Sequence, residues 1–347
     1  MSEQSNGGRA NPDVSQYPCV QAWHLLDPTG KSPTRIEVLQ EAKKARLYRM
    51  HGVGPGGGAV VAKRCRGEEA IVERTIYGEI LPSLPIPSLR YYGTVREQGE
   101  FCWLFLEDAG GKAYSSLLVE HRACAARWLG LMHLHAEQSL SRSGLPQKGP
   151  TYYLEELRAA RDTVPLIQSR SGQSTDDVVL LKAMVAQIRF LESHWNQIEQ
   201  LCEGMPQTLV HGDLSEKNVR LRGNRRRAAL CVFDWEIAGW GSPAIDLAQF
   251  TLGSVTPDIL TYCSVIRPRW PHLDVQIVRS LAHCGTLFRI IDGIYWEIYG
   301  ITEKDSRYLE YEYLKWTIHN LRTYSSLIDN ILRATRRGRL DKAASWA

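Results

Sequence analysis

The sequence predicts an α+β fold of two lobes, a β-rich N-terminal lobe followed by a mostly helical C-terminal lobe. Three observations carry that reading. Short runs rich in β-branched and aromatic residues, divided by turn residues, fill the early part of the chain. From Ser115 onward apolar residues recur at helical spacing over long stretches, and one short β-hairpin interrupts them. At 347 residues the chain exceeds the usual size of one hydrophobic core, and 44% hydrophobic residues against 23% charged support a sizeable interior.

Taken in order, residues 1–18 are rich in Ser, Gly, Asn and Gln and read as a flexible tail. The N-terminal lobe spans residues 19–108. Its first strands are Arg35 to Leu39, Ala45 to Met50 and Ala59 to Arg64, the last two joined by the turn GVGPGGG. Glu68 to Leu81 has helical spacing and stops at Pro82, after which LRYYGTV and EFCWLFLED form two more strands around a Gln98-Gly99 turn. The C-terminal lobe spans residues 109–347, with the join near Glu107 to Lys112. Amphipathic helices are expected over Leu117 to Leu140, Thr175 to Cys202 and Ile277 to Tyr299. The hairpin VRLRGNRRRAALCVFDW turns at Gly223 and Asn224.

Composition excludes several function classes. Eight cysteines lie at wide, irregular spacings with no CxxC, so neither a zinc site nor a disulfide framework is expected. A net charge of +4 and a pI near 8.6 are too mild and too scattered for a nucleic-acid partner. The apolar runs are too short to cross a bilayer and the N-terminus has no signal-like pattern, so a cytoplasmic location without a membrane partner is expected. Oligomeric state is not legible.

The decisive stretch is LVHGDLSEKNVRL followed by LCVFDWE. Asp213 stands five residues before Asn218, and Asp234 follows the hairpin. That is the spacing of a phosphotransfer loop, with one acid for an acceptor hydroxyl and an amide plus an acid for magnesium. Phosphoryl transfer passes through a loose, highly anionic transition state, so positioning and metal-held charge do most of the work. Hard oxygen ligands suit Mg²⁺, which takes few protein groups and completes its shell with phosphates and water.

HGDLSEKN and FDWE resemble the signature of the aminoglycoside phosphotransferase and choline kinase superfamily, the small-molecule relatives of protein kinases. GWGSPAIDLA is similar to a further family segment whose acid, here Asp246, braces the catalytic loop. The resemblance implies a bilobal protein-kinase-like fold and a kinase that moves the γ-phosphoryl group of ATP, or GTP, to the hydroxyl of a small molecule. It implies Asp213 as the catalytic base, Asn218 and Asp234 as Mg²⁺ ligands, and Lys63, at the end of AVVAKR, as the lysine of the nucleotide phosphates. Glu73 is selected over Glu68, Glu69 and Glu79 as the partner of Lys63 by an E-x-x-x-Y-x-x-x-L-P pattern. WLFLEDAGG resembles the strand entering a hinge, where backbone groups of Leu106, Glu107 and Asp108 would read the nucleotide base.

GVGPGG formally satisfies GxGxxG at Gly52, Gly54 and Gly57, but it ends six residues before Lys63 and reads as an exposed turn. The phosphate-covering loop is expected at Gln40 to Lys44, where QEAKK departs from the family's small residues and offers Lys43 and Lys44 to phosphate oxygens. That departure is the one feature favouring the alternative of a nucleotide-binding pseudokinase without transfer activity. A protein-directed kinase is disfavoured, because no activation segment separates FDWE from Asp246. The acceptor is expected to be cationic or polyhydroxylated, an aminoglycoside being one such compound. Asp292, Glu297, Glu303, Asp305, Glu310 and Glu312 lie among tyrosines and Trp296 between Asp292 and Tyr313, with Lys304 and Arg307 the only bases there. Asp292, Trp296 and Glu297 are the expected contacts. The same pattern also fits an ordinary amphipathic surface helix.

Overall fold

The computed structural model describes residues 13–28, 30–41, 46–97, 99–138, 144–168, 175–223, 228–249, 253–303 and 319. The chain divides into two units, Met1–Ser83 with Ser88–Gly110 and Leu84–Pro87 with Gly111–Ala347. Mixed α and β structure, sheet-rich in the first unit and helical in the second, matches the fold class read from the sequence.

In the first unit, β1 (Arg35–Glu41), β2 (Arg46–His51), β3 (Val60–Arg66), β4 (Tyr91–Arg96) and β5 (Phe101–Glu107) form an antiparallel sheet in the order β1-β2-β3-β5-β4. Alternate side chains Tyr48 and Met50, Val60 and Ala62, and Trp103 and Phe105 share one face, as the strand period of two requires. On that face α1 (Pro18–Leu26) lays Cys19, Val20, Ala22 and Trp23. This helix is absent from the sequence reading. Of the expected tail, residues 1–12 lie outside the described residues, whereas Val14–Gln16 form a 3₁₀ turn capped by Asp13 and Pro18 opens α1. The GVGPGGG segment is a turn between β2 and β3, as expected. α2 (Gly67–Thr75) continues into a π-helical turn over Ile76–Ile80 and a 3₁₀ turn over Leu81–Ser83, so one expected helix becomes three pitches.

The second unit begins with β6 (Lys112–Ala113) and α3 (Val119–Ala136). There follow β7 (Gln147–Lys148), α4 (Pro150–Gln168), α5 (Thr175–Ser193), α6 (Trp195–Cys202) and β8 (Thr208–Val210). It closes with β9 (Val219–Arg222), β10 (Ala229–Val232), β11 (Gly239–Gly241), α7 (Ile259–Ile266) and α8 (Val275–Glu303). The expected hairpin is β9–β10, but β6 extends it to three strands, and a further three-stranded sheet β7-β11-β8 was not foreseen. The helix expected over Thr175 to Cys202 breaks at His194. No described helix is long and apolar enough to cross a membrane.

The core of this unit follows helical spacing. Leu281, Cys284, Phe288, Ile291, Ile294 and Ile298 of α8 face Tyr153, Leu157 and Ala160 of α4 and Leu181, Met184 and Ile188 of α5. Phe288 stacks on Tyr153 with ring centroids 4.3 Å apart. Within this stripe Gly285 has no side chain because the Pro243–Leu247 turn passes directly over it. A Cβ there would lie 1.7 Å from the Ala244 carbonyl oxygen. Gly285→Ala should therefore overpack a rigid backbone contact and lower stability by about 1–3 kcal/mol. Urea unfolding of the full chain checks this, and an unchanged midpoint would show that α8 does not depend on the close approach.

Candidate active site

The catalytic-loop candidate begins where β8 ends. Thr208, Leu209 and Val210 are fully buried, so the strand is anchored in the core and delivers His211 at a fixed point. Gly212 then adopts φ +80, and a Cβ there would meet the Ile237 carbonyl at 2.9 Å, so the turn needs glycine. The Asp246 carboxylate accepts the backbone N–H of His211 at 2.8 Å and of Gly212 at 3.1 Å, and His133 Nε2 lies 3.5 Å away. His133 in turn bonds the Tyr262 hydroxyl at 2.9 Å through Nδ1. Asp246 and His133 thus hold the loop from beneath, with no exposure to an acceptor.

His211 has a structural place. Its Nε2–H donates to the Phe233 carbonyl at 3.0 Å, while Nδ1 accepts the Asp213 N–H at 3.3 Å. The neutral ring with its proton on Nε2 satisfies both bonds. The contact matters because it joins the loop to the strand end that carries Asp234. The Phe233 N–H also donates to the Asn218 carbonyl at 3.1 Å. Asp213, Asn218 and Asp234 are therefore brought together through the backbone on either side of Phe233.

Asp213 Oδ2 accepts from Asn218 Nδ2 at 3.1 Å and lies 3.2 Å from Lys217 Nζ. The same Asn218 amide donates to the Asp213 carbonyl at 3.1 Å. With Nδ2 so engaged, Oδ1 of Asn218 is the atom it can offer to a cation. Asp234 sits at φ +70, one of two described non-glycine residues in the left-handed region, a conformation that the surrounding structure must hold and that clusters at functional sites. One amide oxygen and one carboxylate fit a magnesium ion whose other ligands are phosphate and water. Among the described residues no group of three or more His, Cys, Asp and Glu side chains forms a preformed metal cage.

In the first unit Lys63 Nζ lies 3.0 Å from Glu73 Oε2, with Glu73 fully buried. Strand alternation turns Lys63 away from the α1 face and toward α2. The other acids of the segment do different work: Glu69 accepts the Arg66 N–H at 3.0 Å as a helix cap, and Glu68 and Glu79 are exposed. At the end of β5 the Glu107 N–H donates to Arg90 O at 2.8 Å and the Asp108 N–H to Ala59 O at 3.2 Å. The Asp108 carboxylate pairs with Arg49 at 2.9 Å. Those two amides serve the sheet, and Leu106 is a buried sheet residue. Lys43 and Lys44 lie outside the described residues.

α8 carries the expected acceptor residues, and it adds one the sequence reading missed. Arg289 donates from Nη2 to Asp213 Oδ1 at 2.7 Å and from Nη1 to the Gly212 carbonyl at 2.7 Å. One turn further along stands Asp292, whose carboxyl is pushed up by burial against the opposing charges of Arg289 and Lys148. Trp296 is half-exposed and Glu297 partly buried. Two further residues were missed, Lys148 and Glu156, each 5% exposed. Lys148 Nζ lies 3.6 Å from the centre of the Tyr152 ring. The Glu156 carboxyl is pushed up to about 7, first by burial and then by Asp292. Of the remaining acidic stretch, Glu303 has no described side chain, and Asp305, Glu310 and Glu312 lie outside the described residues.

A sequence profile of the phosphotransferase enzyme family (APH) matches residues 52–262. Comparison with curated proteins gave no match. Among solved structures, the GDP complex of wild-type aminoglycoside 2'-phosphotransferase-IIIa is similar with a TM-score of 0.62 at 13% identity, covering 88% of this chain and 97% of that one. Choline kinase from Cryptosporidium parvum Iowa II gives 0.59 at 13% identity, covering 90% and 92%. Spectinomycin phosphotransferase in complex with ADP and spectinomycin gives 0.53 at 11% identity, covering 85% and 93%. Likenesses at such identities speak for the fold, which is protein-kinase-like. The profile match extends over more than half of the sequence and takes in Lys63, Glu73, Asp213, Asn218 and Asp234, and on that ground this chain belongs to the phosphotransferase enzyme family, the small-molecule relatives of protein kinases.

Proposed function

We propose that this phosphotransferase moves the γ-phosphoryl group of ATP or GTP to the hydroxyl of a small acceptor that carries positive charge. The observation that carries the reading is the loop itself, where Asp213 is hydrogen-bonded to Asn218 and linked through His211 and Phe233 to the strand end that bears Asp234. Asp213 accepts the hydroxyl proton. The acceptor oxygen bonds to the γ-phosphorus while the bond to the leaving nucleoside diphosphate breaks. Asn218 and Asp234 hold the metal, and Lys63, fixed by Glu73, takes the α- and β-phosphates. When bound, Mg²⁺ supplies positive charge that neutralises the phosphates and the leaving group. Leu106, Glu107 and Asp108 border the base in this reading, with carbonyl groups as its contacts where the amides serve the sheet. Nucleotide choice is tested by competition, since one similar structure holds GDP and another ADP.

The charge of the acceptor is read from the second unit. Asp213, Glu156 and Asp292 are three acids gathered with two buried or nearly buried bases, Lys148 and Arg289, and a third base, Lys217, is 71% exposed and leaves three acids to two bases when an acceptor displaces it. An ammonium group would restore the balance, and Trp296 and Glu297 stand on the same helix to extend the contact.

Asp213→Asn should keep nucleotide binding and lower turnover by about 10²- to 10⁴-fold, the usual contribution of a placed proton acceptor. The measurement is a nucleotide-consumption screen over hydroxylated amines, sugars and antibiotics, run on both proteins. Turnover within a few-fold of wild type would remove Asp213 from this role, and a best acceptor that is anionic would remove the charge assignment. Asp234→Ala should abolish magnesium-dependent nucleotide affinity, as calorimetry with Mg-ATP and metal-free ATP reads directly. Equal affinities for the two forms in wild type would sink the metal assignment.

Glu156 gives a pH signature. Its folded-state value of about 7 lies above the ordinary glutamate value of 4.5, so the folded protein binds this proton more tightly than the unfolded chain. The resulting stability is present below about pH 4.5 and is lost as pH rises through about 7. Glu156→Gln mimics the protonated form, and its Tm should gain on wild type between pH 5 and pH 8. A constant Tm difference across that range would show that Glu156 is not held protonated by its surroundings.

A further inference from the structure

Arg289 enters the reading above only through its charge, yet it is the closest charged partner of the acid assigned to the acceptor hydroxyl. Its guanidinium bridges two consecutive loop groups, the Gly212 carbonyl and Asp213 Oδ1, each at 2.7 Å. We infer that Arg289 is a positioning residue for the proton acceptor: it locks one carboxylate oxygen of Asp213 so that the other, Oδ2, faces the acceptor hydroxyl. This inference rests on the reading of Asp213 as that acceptor.

The two oxygens of Asp213 have partners of different permanence. Arg289 is 13% exposed and sits on α8, whose neighbouring residues pack in the core. Oδ2 accepts one bond from the Asn218 amide, and its other partner, Lys217, is 71% exposed at the end of a long side chain. An exposed lysine pair contributes little and exchanges readily, whereas a buried guanidinium fork with two bonds is fixed in direction. An incoming hydroxyl therefore displaces Lys217 and leaves Arg289 in place. The opposite assignment would break the Nη2 bond to Oδ1 and leave the nearly buried guanidinium with the Gly212 carbonyl but without its carboxylate.

Such an arrangement weakens Asp213 as a base, and the reaction tolerates that. In a loose transition state the hydroxyl proton leaves late, so an ionised, directed carboxylate serves better than a strongly basic one that wanders. Burial alone would raise the Asp213 carboxyl, but the charges of Arg289 and Lys217 outweigh it and hold it below the usual carboxylate range. The other groups facing the pair are His211 on the loop, Asp292 on α8 and Tyr153 on α4, with Lys148 on β7 and Glu156 on α4 beyond Asp292. Among these Asp292 shares the charge of Arg289 with Asp213.

The test measures kcat and nucleotide KM for Mg-ATP turnover, with water and with the best acceptor of the screen, in wild type, Arg289→Lys and Arg289→Gln, with Tm recorded for each. Arg289→Lys keeps the charge but loses the fork, so its kcat should fall about tenfold or more with an unchanged nucleotide KM, the mark of lost positioning. Arg289→Gln loses both and should fall at least as far, again with nucleotide KM unchanged. Wild-type kcat in Arg289→Lys overturns the inference, and so does a fall in kcat matched by a rise in nucleotide KM. If Arg289→Gln does not fold, the Arg289→Lys kinetics decide alone. Full turnover in Asp213→Asn is a separate result, which removes the proton-acceptor reading whatever Arg289 does.

Discussion

Everything at the site depends on one buried carboxylate. Asp246 is 2% exposed, and an ion in such a place is costly unless its oxygens are bonded. The amides of His211 and Gly212 supply those bonds, and the partnership works in both directions. The carboxylate is compensated, and two successive peptide units of the loop are fixed. The Pro243–Leu247 turn that carries Asp246 rests in turn on Gly285 of α8. Arg289 comes one helical turn after that glycine, on the same face. A single close approach of helix to turn thus sets both the depth of the loop brace and the position of the guanidinium that reaches Asp213.

Above the brace, the loop leaves few of its polar groups to chance. His211 spends both ring nitrogens on backbone, one on Phe233 and one on Asp213. Asn218 gives its side-chain amide nitrogen to Asp213, and its backbone carbonyl accepts the Phe233 N–H. These bonds order the side chains before any ligand arrives, so little reorganisation accompanies the chemistry. They also explain why Asp234 tolerates a left-handed backbone. The residue before it is bonded through both its N–H and its carbonyl, so the strain is held by its neighbours.

The sequence is legible where covalent spacing carries the geometry. Asp213 and Asn218 are five residues apart on one loop, and Asp234 follows a hairpin whose two strands pair in register, so no long-range packing is needed to bring them together. Lys63 is legible for a similar reason, since strand alternation alone turns it from the α1 face. Arg289, Lys148 and Glu156 were not legible. Each is one charged residue on an element that otherwise reads as helix or turn, and only the packing of α4, β7 and α8 makes them neighbours. The misses in the fold have the same cause. β7, β8 and β11 are two or three residues long, below the length at which alternation can be seen, and α1 has only nine residues, too few turns for its apolar face to show a clear period.

The ion pairs of the two units differ in kind, and the difference bears on how the family's chemistry is adapted. Lys63 with Glu73 is a closed pair in which a buried carboxylate meets a lysine within 3.0 Å. The second unit holds an open cluster, in which Glu156 and Asp292 are both pushed up by burial and Lys148 is pushed down. In this set burial outweighs the partners present, Tyr152 and Lys148 for Glu156 and Arg289, Lys148 and Trp296 for Asp292, and retaining it costs stability that an apolar core would not. Such clusters persist where a ligand completes them. In the proposed reading the ligand is the acceptor, and a charged amine entering beside Glu156 and Asp292 would draw both carboxyls back toward the ionised form. Acceptor affinity would then rise with pH across the range in which Glu156 titrates, while the nucleotide, held by other residues, would not share that dependence.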